Sequence, residues 1–184
     1  RTSWWLSTKM KIGGYLQIAV CAAAFVTPLS AYAAETGGCE SFAWPIATEL
    51  QWIKASDSEA LASGAKLQEP PAKAIALSLL PMSKVSFPVA PSSKPRPNTG
   101  ERYGGIVDFD GVTEAGLHQI SLSIPGWIDV VQDGKTLKPS AHTGKSDCDG
   151  VRKSVRFDIG PGPFSIEVSG IAKDSIKFAI RRAE

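Results

Sequence analysis

The sequence predicts an all-β domain, an antiparallel β-sandwich or jelly roll with one short helical segment near its start. Three observations carry this. From Tyr103 to Arg182, seven short segments alternate apolar and polar residues at spacings near ten residues, the rhythm of strands half-buried on a core. Turn residues punctuate them, with Asp133-Gly134 and Gly160-Pro161-Gly162-Pro163 the strongest. Helical spacing recurs clearly in one place, at Ile46, Leu50 and Ile53.

Residues 1–33 read as an upstream extension and a signal peptide. Lys9 and Lys11 flank Met10, Leu16–Val26 is apolar but for Gln17, and Ala31-Tyr32-Ala33 places small residues where a signal peptidase reads them. The apolar run is too short to span a bilayer, which takes about 20 residues. Cleavage after Ala33 would leave 151 residues, one domain's worth. Arg1, Lys9 and Lys11 would leave with the leader, so 17 basic side chains face 18 acidic ones, a net charge of −1. That balance offers no electrostatic footprint for nucleic acid. A periplasmic or secreted protein without a transmembrane helix in its mature form is expected.

Two cysteines remain after such cleavage, Cys39 and Cys148. An even pair in an exported chain predicts one disulfide. A reactive Cys148 is disfavoured, because Asp147 and Asp149 oppose a thiolate between them.

In residues 34–102, Pro45 suits the first position of the helix carrying Trp44, Leu50 and Ile53. "SDSEALASGAKL" predicts a second short helix or turn, capped by Ser56 or Asp57 and stopped at Gly64. "IALSLL" and "KVSFPV" read as short strands, the second at an edge because of Pro88. Residues 91–102 form a proline-rich loop. This whole region is expected to pack on a sandwich core of residues 103–184.

Within that core, Asp133-Gly134 predicts a hairpin pairing Gln132 with Lys135 and Val130 with Leu137. "GPGP" predicts another, setting Ile159 opposite Phe164, Phe157 opposite Ile166, and Arg156 opposite Glu167. Arg152, Ser154 and Arg156 then face outward, while Lys153 falls in the inward series at the strand's start.

"WIDVVQDGKTL", "AHTG", "CDGVRKSVRFDIGPGP" and "EVSG", together with "CESFAWPIATE", resemble a group of small exported proteins of alphaproteobacteria, across most of the chain after Ala33. Members of the group are sometimes labelled homogentisate 1,2-dioxygenase, a label that implies a cupin fold with iron held by two histidines and a carboxylate. The C-terminal part is also similar to pre-peptidase C-terminal β-sandwich domains, accessory modules with no catalysis of their own.

The candidate sites follow. His118 and His142 are the two histidines present, the minimum for a two-histidine, one-carboxylate iron site with Asp147 or Asp149. His118 shares strand parity with Ile120, Leu122 and Ile124, and His142 falls in the loop "SAHTGKSDCDG". Asp147 and Asp149 also offer two oxygen ligands to calcium, without EF-hand spacing. No Gly-x-Ser-x-Gly stretch or phosphate-cradling loop is present. Asp108 and Asp110 share a strand face through alternation alone. Trp127 and Val131 face away from Ile128 and Val130. Either the N-terminal helix covers them, or Trp127 with Tyr103 makes an exposed platform of the kind that binds sugars. Arg152 and Arg156 are further candidate ligand contacts. The expected function is that of a non-catalytic exported module, without a cofactor, binding a ligand or an envelope protein. A small iron-dependent oxygenase and a carbohydrate-binding module are the alternatives.

Overall fold

Alternating side chains demand a sheet with a dry face, and two such sheets close on each other in the computed structural model, which describes residues 37–93 and 100–184. The signal-peptide reading of residues 1–33 lies outside the described residues, as do residues 94–99 of the proline-rich loop. The described residues form one compact unit.

The helix, α1 (Ala47–Lys54), is followed by β1 (Glu59–Ala62), β2 (Ala65–Leu67), β3 (Ile75–Ser78) and β4 (Leu80–Pro81). Next come β5 (Tyr103–Phe109), β6 (Gly116–Leu122), β7 (Trp127–Gln132), β8 (Lys135–Thr136) and β9 (Ala141–Gly144). Then β10 (Lys153–Ile159), β11 (Phe164–Ile171) and β12 (Ser175–Arg182) complete the fold. The first sheet runs β1-β3-β12-β6-β10-β9, and the second β2-β5-β11-β7-β8 with β4 also on β5. All ladders are antiparallel but two, β1 with β3 and β2 with β5. The all-β sandwich is as the alternation predicts, with mixed sheets.

Between the sheets lies one apolar core. Ile75, Leu77, Ile120, Leu122, Phe157 and Phe178 enter from the first sheet, and Val107, Phe109, Val130, Phe164, Ile166 and Ile171 from the second. Phe109 and Phe164 stack with ring centroids 4.9 Å apart. A second apolar cluster sits on the outer side of the first sheet, where Phe42, Trp44, Ile46 and Ile53 gather with Cys148, Val151 and Ala179.

The Asp133-Gly134 hairpin forms as expected. Asp133 has φ 54° and Gly134 φ 69°, the two left-handed residues of a type I′ turn. Gln132 pairs with Lys135, and the Leu137 amide donates to the Val130 carbonyl.

Several expectations are corrected. "GPGP" is not a hairpin. It carries the chain from β10 in the first sheet to β11 in the second. Arg156 stands opposite Gln119 and Ala141, while Glu167 stands opposite Ile106 and Asp129. Gln132 holds this arch, accepting from the Gly160 amide at 2.9 Å and donating to the Gly160 carbonyl at 3.1 Å. In place of the expected short helix or turn, residues 59–62 and 65–67 are strands, with Ser63-Gly64 the turn between them. They switch sheets at Ser63-Gly64, where Ser63 donates to Ser78 and Gly64 to Ile106. Four strands of the sandwich thus come from residues 59–81, so the region before Tyr103 is built into both sheets rather than packed upon them.

"KVSFPV" makes no strand. Pro88 and Pro91 withhold two amides, and residues 85–93 instead pass over the outer face of the second sheet. Gly104 permits this close approach, since a Cβ there would lie 2.8 Å from the Met82 sulfur and 2.9 Å from the Val168 carbonyl. The helix starts at Ala47, not Pro45. Its start is set by tertiary contact, as the Pro45 carbonyl accepts from Gln119 Nε2 at 3.1 Å. At its other end Lys177 Nζ donates to the carbonyls of Ile53 (3.2 Å) and Ala55 (2.8 Å), satisfying acceptors a helix end leaves open.

Candidate functional site

The apolar stripe of α1 includes a carboxylate. Glu49 falls between Ile46 and Ile53 on the helical period and is completely buried against the first sheet. Such a charge needs partners, and β6 and β12 supply them. Arg181 Nε lies 3.0 Å from Glu49 Oε2. Gln119 Nε2 donates to Glu49 Oε1, and Gln119 Oε1 accepts from Arg156 Nε (3.2 Å) and Nη2 (3.0 Å). Arg156 in turn stacks over the Trp44 ring at 4.4 Å, and Trp44 Nε1 donates to Ser154 Oγ at 3.0 Å. Ser154 and Arg156 were expected to face solvent; Ser154 is instead buried and Arg156 half-buried, both joined to this polar network through Trp44.

One member of this network, Arg181, lines a pocket of about 330 Å³ at the end of the sandwich. Trp52 of α1, Pro70, Pro71, Val112 and Ile180 give it apolar walls, and His118, Arg181 and Arg182 bring nitrogen donors and acceptors. His118 pairs in register with Arg182. Its Nδ1 lies 2.9 Å from the Gly116 carbonyl. A carbonyl can only accept, so Nδ1 carries the proton and Nε2 is left with a lone pair in the neutral ring. Arg182 meets Glu114 at the rim, and Thr113 Oγ1 donates to Glu69 at 2.6 Å. Arg181 Nη1 also reaches the exposed Glu184 carboxylate at 2.9 Å.

The predicted site residues are scattered. Cys39 and Cys148 are bonded, with sulfurs 2.06 Å and Cα atoms 4.5 Å apart. Asp147 accepts from the Gly38 amide at 2.8 Å, and Asp149 pairs loosely with Lys54 at 3.5 Å. Asp147 therefore serves the N-terminal tie, while the Asp149 side chain stays almost fully exposed. His142 lies on a strand, β9, not in a loop. His118 stands opposite Phe157 and His142 opposite Val155, so β10 runs between the two histidines. Two strand spacings and two residues along separate them by roughly 12 Å. Among the described residues, no three His, Cys, Asp or Glu side chains gather into a group able to hold a metal. The iron and calcium ligand sets are thus not brought together. Arg152 precedes β10, half-buried and outside the pocket.

Nor do Trp127 and Tyr103 share a platform. Tyr103 pairs with Ile171 and packs on the core between the sheets. Trp127, 42 % exposed, has the opposite parity, with Asp129 and Val131. The helix does not cover it either, since α1 lies against β12 on the other sheet. Trp127 Nε1 donates to Ser92 Oγ at 2.7 Å, and Lys153 Nζ lies over its ring at 4.4 Å while donating to the Gly126 carbonyl at 3.2 Å. Burial lowers the Lys153 pKa, and the Asp129 charge opposes that fall.

No family model, curated protein or solved structure matches the chain.

Among the described residues, no helix is long and apolar enough to cross a membrane.

Sequence reasoning missed Trp52, Arg181 and Glu49. Glu49 had a signal, a carboxylate on the apolar stripe of the one helical segment. Arg181 had none, because a basic residue near the end of a strand reads as a solvated face.

Proposed function

We propose that this is a non-catalytic, exported β-sandwich module whose pocket, between Trp52, His118 and Arg181, takes a small ligand or a side chain of an envelope partner. One observation carries the reading. The pocket's guanidinium, Arg181, is held from behind by the buried carboxylate of Glu49, so it stays in place with or without an occupant. Ready-made polar groups of this kind on apolar walls are what binding sites share. Export rests on the leader-like residues 1–33, and the disulfide suits an oxidising compartment.

Ligand-observed NMR with a mixture of small ring-containing fragments tests the proposal. Ala72 lies exposed at the pocket's edge, so Ala72→Trp fills the space without touching the core. Fragments should bind the wild type and bind the variant at least tenfold more weakly. Binding unchanged in the variant, or none in the wild type, overturns the reading.

A further inference from the structure

The outer face of the second sheet carries a carboxylate whose setting suits a proton better than a charge. Glu167, in the middle of β11, is 1 % exposed, and among the described residues its two oxygens lack a well-formed hydrogen bond, with only the Val89 amide exerting a weak pull. Its cross-strand neighbour on β7 is Asp129, a second carboxylate, and Asp108 of β5 stands opposite Ser165, two residues along β11 on the same face.

Residues 85–93 close over this face without pairing as a strand. The Ser92 amide donates to Asp129 Oδ2 at 3.0 Å, and Ser92 Oγ donates to Asp129 Oδ1. The hydroxyls of Ser93 and Ser169 lie 2.9 Å apart. Nearer its start, the Phe87 ring would touch a Cβ at Gly104 at 3.0 Å. Few contacts and exposed ends mark such segments as the low-stability part of a fold.

We propose that residues 85–93 are a proton-gated strap, shut over the second sheet while Glu167 holds a proton and loosened when it does not.

Among the described residues, the charges acting on Glu167 point the same way. Asp129 from β7 and Asp108 from β5 repel its anion, and the strap itself contains no titratable side chain. Two cations of the described strands are engaged elsewhere: Lys153 sits over Trp127, and Lys66 of β2 pairs with Asp110 at 2.6 Å. Burial, with those two carboxylates, pushes the Glu167 pKa up to about 7, against a smaller pull from the Val89 amide. Lifting the strap lets water reach Glu167 and returns it to its ordinary value near 4.5.

The direction follows from linkage. The shut form binds the proton more tightly, so opening is least favoured below pH 4.5. It rises with pH up to about 7 and levels off above that. Between pH 5 and 7.5 the opening constant should grow on the order of fiftyfold.

Amide hydrogen exchange at the Ser92 amide, corrected for intrinsic exchange, reads the opening. Its protection should fall on the order of fiftyfold from pH 5 to 7.5, and stay at least tenfold below that of Val130 and Ile166 throughout. In Glu167→Gln the fall should shrink below threefold. Protection that is flat in the wild type, falls equally in Glu167→Gln, or matches the core amides overturns the proposal. Should the variant fail to fold, the wild-type ¹³C shift of the Glu167 carboxyl decides. A midpoint in the ordinary carboxylate range contradicts the strap, and one near neutrality supports it.

Discussion

Glu49 of the helix and Arg181 of the last strand meet 3.0 Å apart beneath the helix, with Glu49 fully buried and the Arg181 side chain 13 % exposed. The pair joins the N-terminal segment to the far end of the chain and sets the guanidinium at the pocket wall. Removing one member leaves the other as an uncompensated charge, which costs more than the pair contributed.

Glu49→Ala should therefore destabilise by roughly 3–5 kcal/mol. Arg181→Met, which strands the carboxylate, should cost a similar amount. The double variant should be less damaging than the sum. Urea denaturation of the two single variants and the double variant measures this, and additive losses would show that the two side chains act independently.

The Cys39–Cys148 bridge spans 109 residues in sequence. Reducing it should lower stability by about 4–5 kcal/mol on loop-entropy grounds. Cys148 packs with Phe42, Trp44 and Val151, so loosening should begin there. Acrylamide quenching of tryptophan emission should rise on reduction, before the far-ultraviolet strand signal is lost. Simultaneous loss of both would contradict an N-terminal cover anchored by the bridge.

A buried acid with a raised pKa weakens the fold as pH rises from its unfolded to its folded value. For Glu167 that window runs from about 4.5 to about 7, and the loss is roughly 3 kcal/mol, complete above pH 7. Glu167→Met should therefore be more stable than wild type by roughly 2–3 kcal/mol at pH 7.5 and nearly equal to it at pH 4.5. Thermal melts at the two pH values check the sign. A variant weaker than wild type at pH 7.5 would show that the carboxylate is satisfied there.

Gly104 lets Met82 and Phe87 rest on the second sheet. Gly104→Ala should cost about 1–3 kcal/mol, because the Val168 carbonyl cannot give way as a side chain would. Chemical denaturation reads the loss. An unchanged midpoint would mean that the covering segment shifts freely.

Strand existence was legible because burial on one face writes itself into the sequence with period two. Strand partnership was not. Phe157 and Ile166 must both point inward whether "GPGP" turns back within a sheet or arches to the other one, so their agreement could not choose between the two. The choice shows in Gln132, whose side chain grips the arch, a contact invisible without coordinates. Residues 59–67 are rich in alanine and read as helix by propensity. Pairing with Ile75–Ser78 and with Val107–Phe109 overrode that preference. "AHTG" is too short to alternate visibly and is a strand because β10 offers it an edge. Of the site, His118 was legible as a histidine on the inward parity of a strand. Its pocket was not, because Trp52, Val112 and Arg182 come together from three distant parts of the chain.

If the pocket between the helix and the sandwich end takes the proposed ligand, protein-observed NMR during fragment titration will locate it there. Shifts should concentrate on the Trp52 indole, the His118 ring and the amides of Val112 and Ile180, with Trp127 unmoved. Shifts that concentrate on Trp127 and Lys153, or that spread over the surface with no focus at Trp52, would contradict it.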